Sequence, residues 1–515
     1  MAAPAEQKLT LRLVIIAGLI MLATIMQTLD MTIANVALPY MQAGMSAAQD
    51  QITWVLTSYV VASAIGMSLT GYFVDRFGRT RVFIYSIAGF TIASAACGLS
   101  QTLTEIVIFR VFQGFAGACL VPLSQATMMD LFPREKVGGA LAAWGMGVML
   151  GPIFGPTLGG YLTELLSWRW VFFINLPLGI ICTIGIAALL PETKREANKS
   201  FDMQGFVFLA VALTAFQLFL DRGHTLDWLS SIEIVIEAAI AVVALYLFVV
   251  HIFTTDKQPF LRPDLFKDRN YVSGTIMGFS IGITLMSTMA LLPSMLQSLL
   301  GYPIIETGEM LMPRGIGTMI AMMVSGKFSR KVDPRILMFT GAALMAGALW
   351  EMSKFDLNVT PYLLGMTGAV QGFGVGLFFT SLSQLSFATL PSRIRTEGTS
   401  VSTLIRNIGS SIGISIVSTQ LAQNTQVNHA ELSEHINPFN PALLQAAPNL
   451  PMDLASPQGL SMINGMISQQ AAMISYIDVF FLMAVISAFS LPMVFILRRP
   501  KLQGAAPKVQ EHVEA

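Results

Sequence analysis

The sequence predicts an all-α polytopic membrane protein, on three observations: bulk composition, the number of long apolar runs, and the alternation of basic residues between the segments joining them. Hydrophobic residues make up 54% of the 515 and charged residues 12%, more apolar surface than a soluble core can hide. Runs able to cross about 30 Å of hydrocarbon at about 1.5 Å per residue fall near 13–38, 51–73, 81–99, 104–127, 138–161, 170–190, 204–220, 233–253, 271–293, 306–326, 336–353, 361–385, 399–421 and 475–497. Fourteen transmembrane helices put both termini on one side. Of 30 Lys and Arg, all but six lie on that side, and the positive-inside rule makes it the cytoplasm. Arg169, Arg222 and Lys354 fall opposite, while Arg110, Arg314 and Arg406 stay within or at the edge of spans.

The first run follows Lys8 and Arg12, but it is too long for a signal peptide and precedes no soluble domain, so it reads as the first span. Spans two and three are joined by Gly71-Tyr-Phe-Val-Asp75-Arg76-Phe-Gly78-Arg79-Thr-Arg81. Anchoring at the cytoplasmic surface accounts for Arg76, Arg79 and Arg81, but for neither Asp75 nor the glycines. In span five, Gly147, Gly151, Gly155 and Gly159 recur every four residues, a stripe that lets another backbone approach. Pro152 and Pro156 add kinks, and Gly160 extends the small-residue run; ordinary close packing is the simpler account of the same residues. In span nine, Gly278-Phe-Ser280-Ile-Gly282 matches a hydrolase elbow by spelling only, since that motif needs a strand, turn and helix.

A shift of 258 residues lays Gln113-Gly114-Phe115 on Gln371-Gly372-Phe373, Pro133 on Pro391, Gly151 on Gly409 and Gly155 on Gly413. The Gly71–Arg81 loop has a decayed partner at Gly326–Arg335. Two homologous six-span halves follow, 1–190 and 270–497, with spans seven and eight inserted in 191–269 and a cytoplasmic tail at 498–515. Parallel repeats of this kind place a substrate site near the midplane between the halves.

Intramembrane charges are the first functional candidates, because each costs about 2.5–3.5 kcal/mol at a helix centre on insertion scales. Asp30 lies about 12 Å and Arg110 about 9 Å from the external ends of spans one and four at about 1.5 Å per residue. The two can meet, either as a proton-coupling pair or as a static ion pair. Glu233 and Glu237 start span eight on one face and read as a solvated edge. Glu397 and Arg406, near the cytoplasmic start of span thirteen, read as partners of cytoplasmic loops and not as transport residues. Cys97, Cys119 and Cys182 fall in apolar runs as buried small hydrophobes. His224, His251, His429, His435 and His512 are scattered without metal-ligand spacing. Neither cofactor, nucleic acid nor nucleotide is implied, which leaves an ion gradient as the driving force. Residues 422–475 hold no Lys or Arg, are rich in Asn, Gln, Pro and Met, and read as an external loop.

The Gly71–Arg81 loop resembles the G-x-x-x-D-R-x-G-R-x-R pattern of the major facilitator superfamily. That resemblance implies two six-helix bundles, with Gly71, Asp75, Arg76, Gly78, Arg79 and Arg81 holding the cytoplasmic side shut. The string Gly151-Pro152-Ile-Phe-Gly155-Pro156-Thr-Leu-Gly159-Gly160, with Gly147 before it, resembles the fifth-helix motif of the antiporter branch. Leu29-Asp30-Met-Thr32-Ile-Ala-Asn35-Val-Ala-Leu-Pro39 and Arg110-Val-Phe-Gln113-Gly114 resemble signatures of fourteen-span drug:proton antiporters of the EmrB/QacA type. Trp168-Arg169-Trp170-Val-Phe-Phe-Ile-Asn175-Leu-Pro177 and Leu220-Asp221-Arg222-Gly223 point to the EmrB branch, and the likeness covers nearly the whole chain. It implies an inner-membrane, proton-coupled multidrug efflux permease for hydrophobic or amphipathic compounds. Such a permease works in a tripartite pump with a periplasmic adaptor (membrane fusion) protein and an outer-membrane channel, the adaptor docking at 422–475. A dedicated exporter of one metabolite or siderophore, and a non-transporting receptor or scaffold, are the alternatives.

Overall fold

A computed structural model describes residues 11–133, 136–192, 201–223, 225–255, 259–328, 332–436 and 456–498. Its long helices, in chain order, are α1 (Leu11–Met45), α2 (Trp54–Phe77), α3 (Arg79–Leu99), α4 (Leu103–Leu131), α5 (Val137–Leu165), α6 (Trp170–Leu189), α7 (Met203–Gly223) and α8 (Ile232–Thr254). They continue with α9 (Arg269–Leu299), α10 (Ile304–Phe328), α11 (Pro334–Met352), α12 (Pro361–Phe387), α13 (Ser392–Glu434) and α14 (Pro457–Ile496). Eleven are long and apolar enough to cross a membrane. The exceptions among the described residues are α10, which carries Glu306, Glu309, Arg314 and Lys327; α11; and α13, whose second half is polar. The chain is a multi-pass membrane protein, although hydropathy alone supports fewer spans than the fourteen expected.

Helix pairing repeats with a period of eight. In the first half α1 packs on α5 and α6, α2 on α4, and α3 on α4 and α6. In the second half α9 packs on α13 and α14, α10 on α12, and α11 on α12 and α14. The halves meet where α5 runs along α10, α2 and α4 along α13, and α5 along α12. Among the described residues α1 and α9 do not form a packed pair.

Two helices break where proline dictates. Ala118 and Cys119 leave the helical register in α4 just before Pro122, whose ring cannot accommodate the carbonyl four residues earlier. Ile174 separates Trp170–Phe173 from Asn175–Leu189 in α6, and Pro177 gives the same reason. The second break sets Asn175 at the start of a helical segment, fully buried.

The inserted pair is peripheral: only 22% of the most apolar stretch of α8 is buried, against 67% for α12. α7 nonetheless ties the halves together. Thr57 on α2 donates to Asp221 at 2.8 Å, and Ser415 on α13 donates to the Leu220 carbonyl at 3.0 Å. Trp228, just beyond α7, donates to Thr419 at 3.2 Å.

The segment 422–475 departs from expectation. Most of it is helix and not loop: α13 continues to Glu434 and α14 begins at Pro457. The two extensions pair through Asn424 to Asp478 at 3.2 Å, Asn428 to Ser475 at 3.1 Å and His429 with Asn464 at 2.9 Å. The polar run Ala422–Glu434 ends the hydrophobic span, but its Ala, Gln, Leu and Glu are good helix formers, so leaving the apolar region does not end the helix. The Asn437–Pro441 string and the tail after Arg498 lie outside the described residues.

Candidate functional site

Asp30 and Arg110 meet in the core of the first half. Arg110 Nη1 donates to Asp30 Oδ2 at 2.7 Å, and both side chains are 0% exposed. Gln113, one turn along α4, donates to Asp30 Oδ1 at 2.8 Å and accepts from Arg110 at 2.8 Å. Asn175 donates to the same Oδ1 at 2.7 Å and to Ser94 at 3.0 Å. Arg110 Nε donates to the Val55 carbonyl at 3.0 Å, and its guanidinium lies over the Tyr59 ring at 4.1 Å, a favourable cation–π geometry. Three atoms of the cluster are buried without a partner: Arg110 Nη2, Tyr59 Oη and Asn175 Oδ1. Every named partner of Asp30 is a donor, and together they tie α1 to α4 and α6.

Among the described residues the second half lacks this chemistry. Gln371 donates to Thr288 at 3.2 Å much as Gln113 donates to Asp30, but Gly368 stands where the 258-residue shift would place Arg110.

The glycine column of α5 faces α1 beside Asp30. A Cβ on Gly151 would lie 2.4 Å from Thr28 Oγ1 and 2.7 Å from the Leu29 nitrogen, and one on Gly155 would lie 2.0 Å from Thr32 Oγ1. Thr32 donates to the Gly151 carbonyl at 3.0 Å. Gly147 is looser, with Ile25 and Met21 at 3.6 Å, and Gly159 has the Ile33 carbonyl at 3.3 Å; Gly160 is buried on the same helix. The other face of α5 presents Pro152, Ile153, Pro156 and Thr157 to a cavity of about 70 Å³ bounded by Leu285 and Met289 of α9 and Arg314 of α10. One helix thus touches both the acid's helix and the space between the halves.

The face that bears the basic loops is crossed by ion pairs. Asp75 at the end of α2 accepts from Arg262 at 2.8 Å, and Arg262 reaches Glu397 of α13 at 3.3 Å while its backbone N–H donates to the same carboxylate at 2.8 Å. Arg79 donates to Asp130 at 2.7 Å and to Thr396 at 3.2 Å, and Arg395 pairs with the second oxygen of Asp130. Thr399 donates to the Pro122 carbonyl at 3.1 Å. Gly71 lies against Glu397, where an added Cβ would come within 3.1 Å. Gly78 ends α2 at φ 89°, a conformation that favours glycine. Arg81 pairs with Glu192, just past the first half, at 2.6 Å, and Arg76 sits exposed in the last turn of α2. Outside the membrane segments, burial would raise the Asp202 carboxyl, but donors from the Gly205 amide, His251 and the Phe260 amide outweigh it and hold Asp202 below the usual carboxylate range.

Asp30 and Arg110 therefore meet, and of the loop residues Gly71 and Arg79 touch α13 while Asp75 pairs with Arg262 of the inserted segment. Sequence reasoning placed Gln113 and Asn175 in motifs without giving them a role, and it missed Arg262 and Asp130 altogether. Arg262 sits in a linker and Asp130 at a helix end, where a lone charge carries no local signal. Glu397 pairs with a linker residue as expected. Arg406 does not: its guanidinium lies 5.3 Å from the Phe379 ring centroid inside the protein, because fourteen residues of helix carry it away from the loops. Cys97, Cys119 and Cys182 are buried free thiols.

Residues 20–414 match the family model of the Major Facilitator Superfamily. The chain is 35% identical over 492 residues to the multidrug export protein EmrB of Escherichia coli K12, covering 95% of this chain and 96% of that one. It is 34% identical over 488 residues to the fatty acid resistance protein FarB of Neisseria gonorrhoeae, covering 94% and 96%. The human organic anion transporter MFSD10 superposes with a TM-score of 0.59 at 13% identity over 92% of this chain and 99% of that one. The proton:xylose symporter XylE gives 0.58 at 13% identity over 93% and 96%. At such identity these two structures establish the fold alone.

Proposed function

The chain belongs to the major facilitator superfamily, and on that premise we propose that it is a proton-coupled multidrug efflux antiporter of the inner membrane. It is a transporter and not an enzyme, and a multidrug export protein is among its relatives over nearly the whole length. One observation supports proton coupling above others: the fully buried Asp30 carboxylate, ringed by Arg110, Gln113 and Asn175.

The proposed cycle follows from that geometry. A proton reaching Asp30 from outside neutralises the carboxylate and weakens its hold on Arg110, the charged donor. α1 then shifts against the close-packed glycine face of α5, and α5 transmits the shift to α10 and α12. The Asp75–Arg262–Glu397 and Arg79–Asp130–Arg395 bridges open, the cargo cavity faces the cytoplasm, and cargo binding accompanies proton release. Thermodynamically, the ligand and the proton must each favour a different arrangement of the halves.

The paired extensions of α13 and α14 carry exposed Val427, Leu460, Met462 and Met466. They are the surface we assign to a periplasmic adaptor, which would pass cargo on to an outer-membrane channel.

The deciding experiment uses purified protein in proteoliposomes with a pH-sensitive dye. Addition of a hydrophobic cargo should release protons, and Asp30→Asn should abolish the release while the protein still inserts. Undiminished proton-coupled export by the Asn variant would remove Asp30 from the mechanism.

A further inference from the structure

The string Leu220-Asp221-Arg222-Gly223 ends α7 at the face opposite the basic loops, external on the efflux reading, and no step of the proton cycle uses it. Each of its residues is nonetheless engaged. The Leu220 carbonyl accepts from Ser415 of α13 at 3.0 Å. Asp221 accepts from Thr57 of α2 at 2.8 Å and from Gln217, one turn back on α7, at 2.8 Å. Arg222 pairs with Glu233 at the start of α8. Gly223 makes room for Trp228, since a Cβ there would come within 2.6 Å of the indole. That indole also stands edge-on to Phe219 at a centroid distance of 5.2 Å and donates to Thr419 of α13 at 3.2 Å.

The turn that delivers Trp228 is strained. Asp227 has φ 53° and Trp228 φ 51°, the left-handed region that bulky side chains rarely enter. Such conformations persist where surrounding contacts over-determine them and cluster at switch regions; here the contacts are those to Gly223, Phe219 and Thr419. Deeper in the membrane, Leu209 and Leu213 of α7 share a buried apolar cluster with Met67 of α2 and Leu404 of α13. α7 therefore lies over the seam between α2 and α13, bonded to the first half on one side and to the second half on the other. The same inserted segment supplies Arg262 at the basic end of that seam, to Asp75 of α2 and Glu397 of α13. One insertion thus holds the two helices at both ends.

We propose that the end of the inserted pair away from the basic loops is a latch on the external mouth. α7 grips α2 through Asp221 and α13 through Leu220 and Trp228, and the halves part there only when α7 lets go of one of them. This rests on the efflux reading, whose alternating halves it requires, and adds the element that sets how often the external side opens. The two attachments act in series. Opening breaks the weaker one and α7 leaves with the other half, so losing either attachment frees the mouth and losing both frees it no further. Parallel links, or a general loosening of the fold, would add instead.

The test uses full-length protein in nanodiscs with spin labels at Leu99→Cys and Tyr362→Cys, exposed at the external ends of α3 and α12, read by pulsed electron resonance. Thr57→Val deletes the donor to Asp221 with its shape kept, and Ser415→Ala with Trp228→Phe deletes both hydrogen bonds to α13. Either change should raise the population at the longer distance about fivefold, the shift expected for one lost hydrogen bond. Combining all three substitutions should raise it no further than the larger separate effect. Thr57→Ser keeps the donor and should keep the parent distribution. An unchanged distribution with either attachment cut overturns the latch, as does a combined variant whose shift is the product of the separate shifts. Should Thr57→Val not fold, Thr57→Ala removes the same donor and carries the same expectation. Cargo-induced proton release by the parent protein, run in parallel, separates the two readings: release with unchanged distances removes only the latch, and series behaviour without release removes only the proton coupling.

Discussion

Arg262→Ala should open the basic face. The side chain bridges Asp75 at 2.8 Å and Glu397 at 3.3 Å, and these three side chains are 10–18% exposed. Two charge-assisted contacts are nominally worth about 1.5–3 kcal/mol each, but at the mouth of the protein solvent screening reduces each to about 1 kcal/mol. The backbone N–H of residue 262 keeps its bond to Glu397, so about 2 kcal/mol is the expected loss, roughly a 30-fold shift between closed and open states. A closed state favoured about 100-fold would fall to about 3:1, raising the open population from about 1% to about a quarter. Spin labels at Phe77→Cys and Ile336→Cys, both exposed at the basic-face ends of α2 and α11, would show this as a second, longer distance in pulsed electron resonance. Arg262→Lys should restore part of the short-distance population. An unchanged distance distribution in Arg262→Ala would show that the bridge does not set the closed state.

Asp30→Asn should cost about 3 kcal/mol in stability because it leaves Arg110 buried without its carboxylate; the thermal midpoint should fall, and Asp30→Asn with Arg110→Gln should recover much of the loss. Gly155→Ala places a Cβ 2.0 Å from Thr32 Oγ1 and 2.7 Å from Thr32 Cβ, an overpacking worth about 1–3 kcal/mol; transport should drop sharply and return in part in the double variant with Thr32→Gly, as measured by dye export. Leu460→Glu with Met466→Glu should leave proton-coupled export in vesicles intact while adaptor co-purification and resistance of intact cells fall; retention of both would move the docking surface elsewhere. Because the folded-state value of Asp202 is lowered, its contribution is present at neutral pH and is lost as pH falls through that depressed value, below the usual range near about 3.9. Asp202→Asn should therefore lower the thermal midpoint at pH 7 and make no difference in strong acid.

Properties that depend on a residue and its near neighbours in the chain were legible in the sequence. The membrane-spanning runs follow from transfer free energy, the orientation expected from basic loops, and the close approach of some other helix to α5 from glycines repeating every four residues; that the helix is α1 came from the fold. Asp30 and Arg110 stood out because a charge in an apolar run is costly wherever it points. Tertiary structure decided the partners. Asn175 lies 145 residues from Asp30, Arg262 is 187 from Asp75, and Arg395 is 265 from Asp130; no local pattern encodes such pairings, because they are chosen by distance in the folded molecule. The same holds for the helical hairpin at 422–475, where hydropathy marks the end of the apolar region and not the end of the helix.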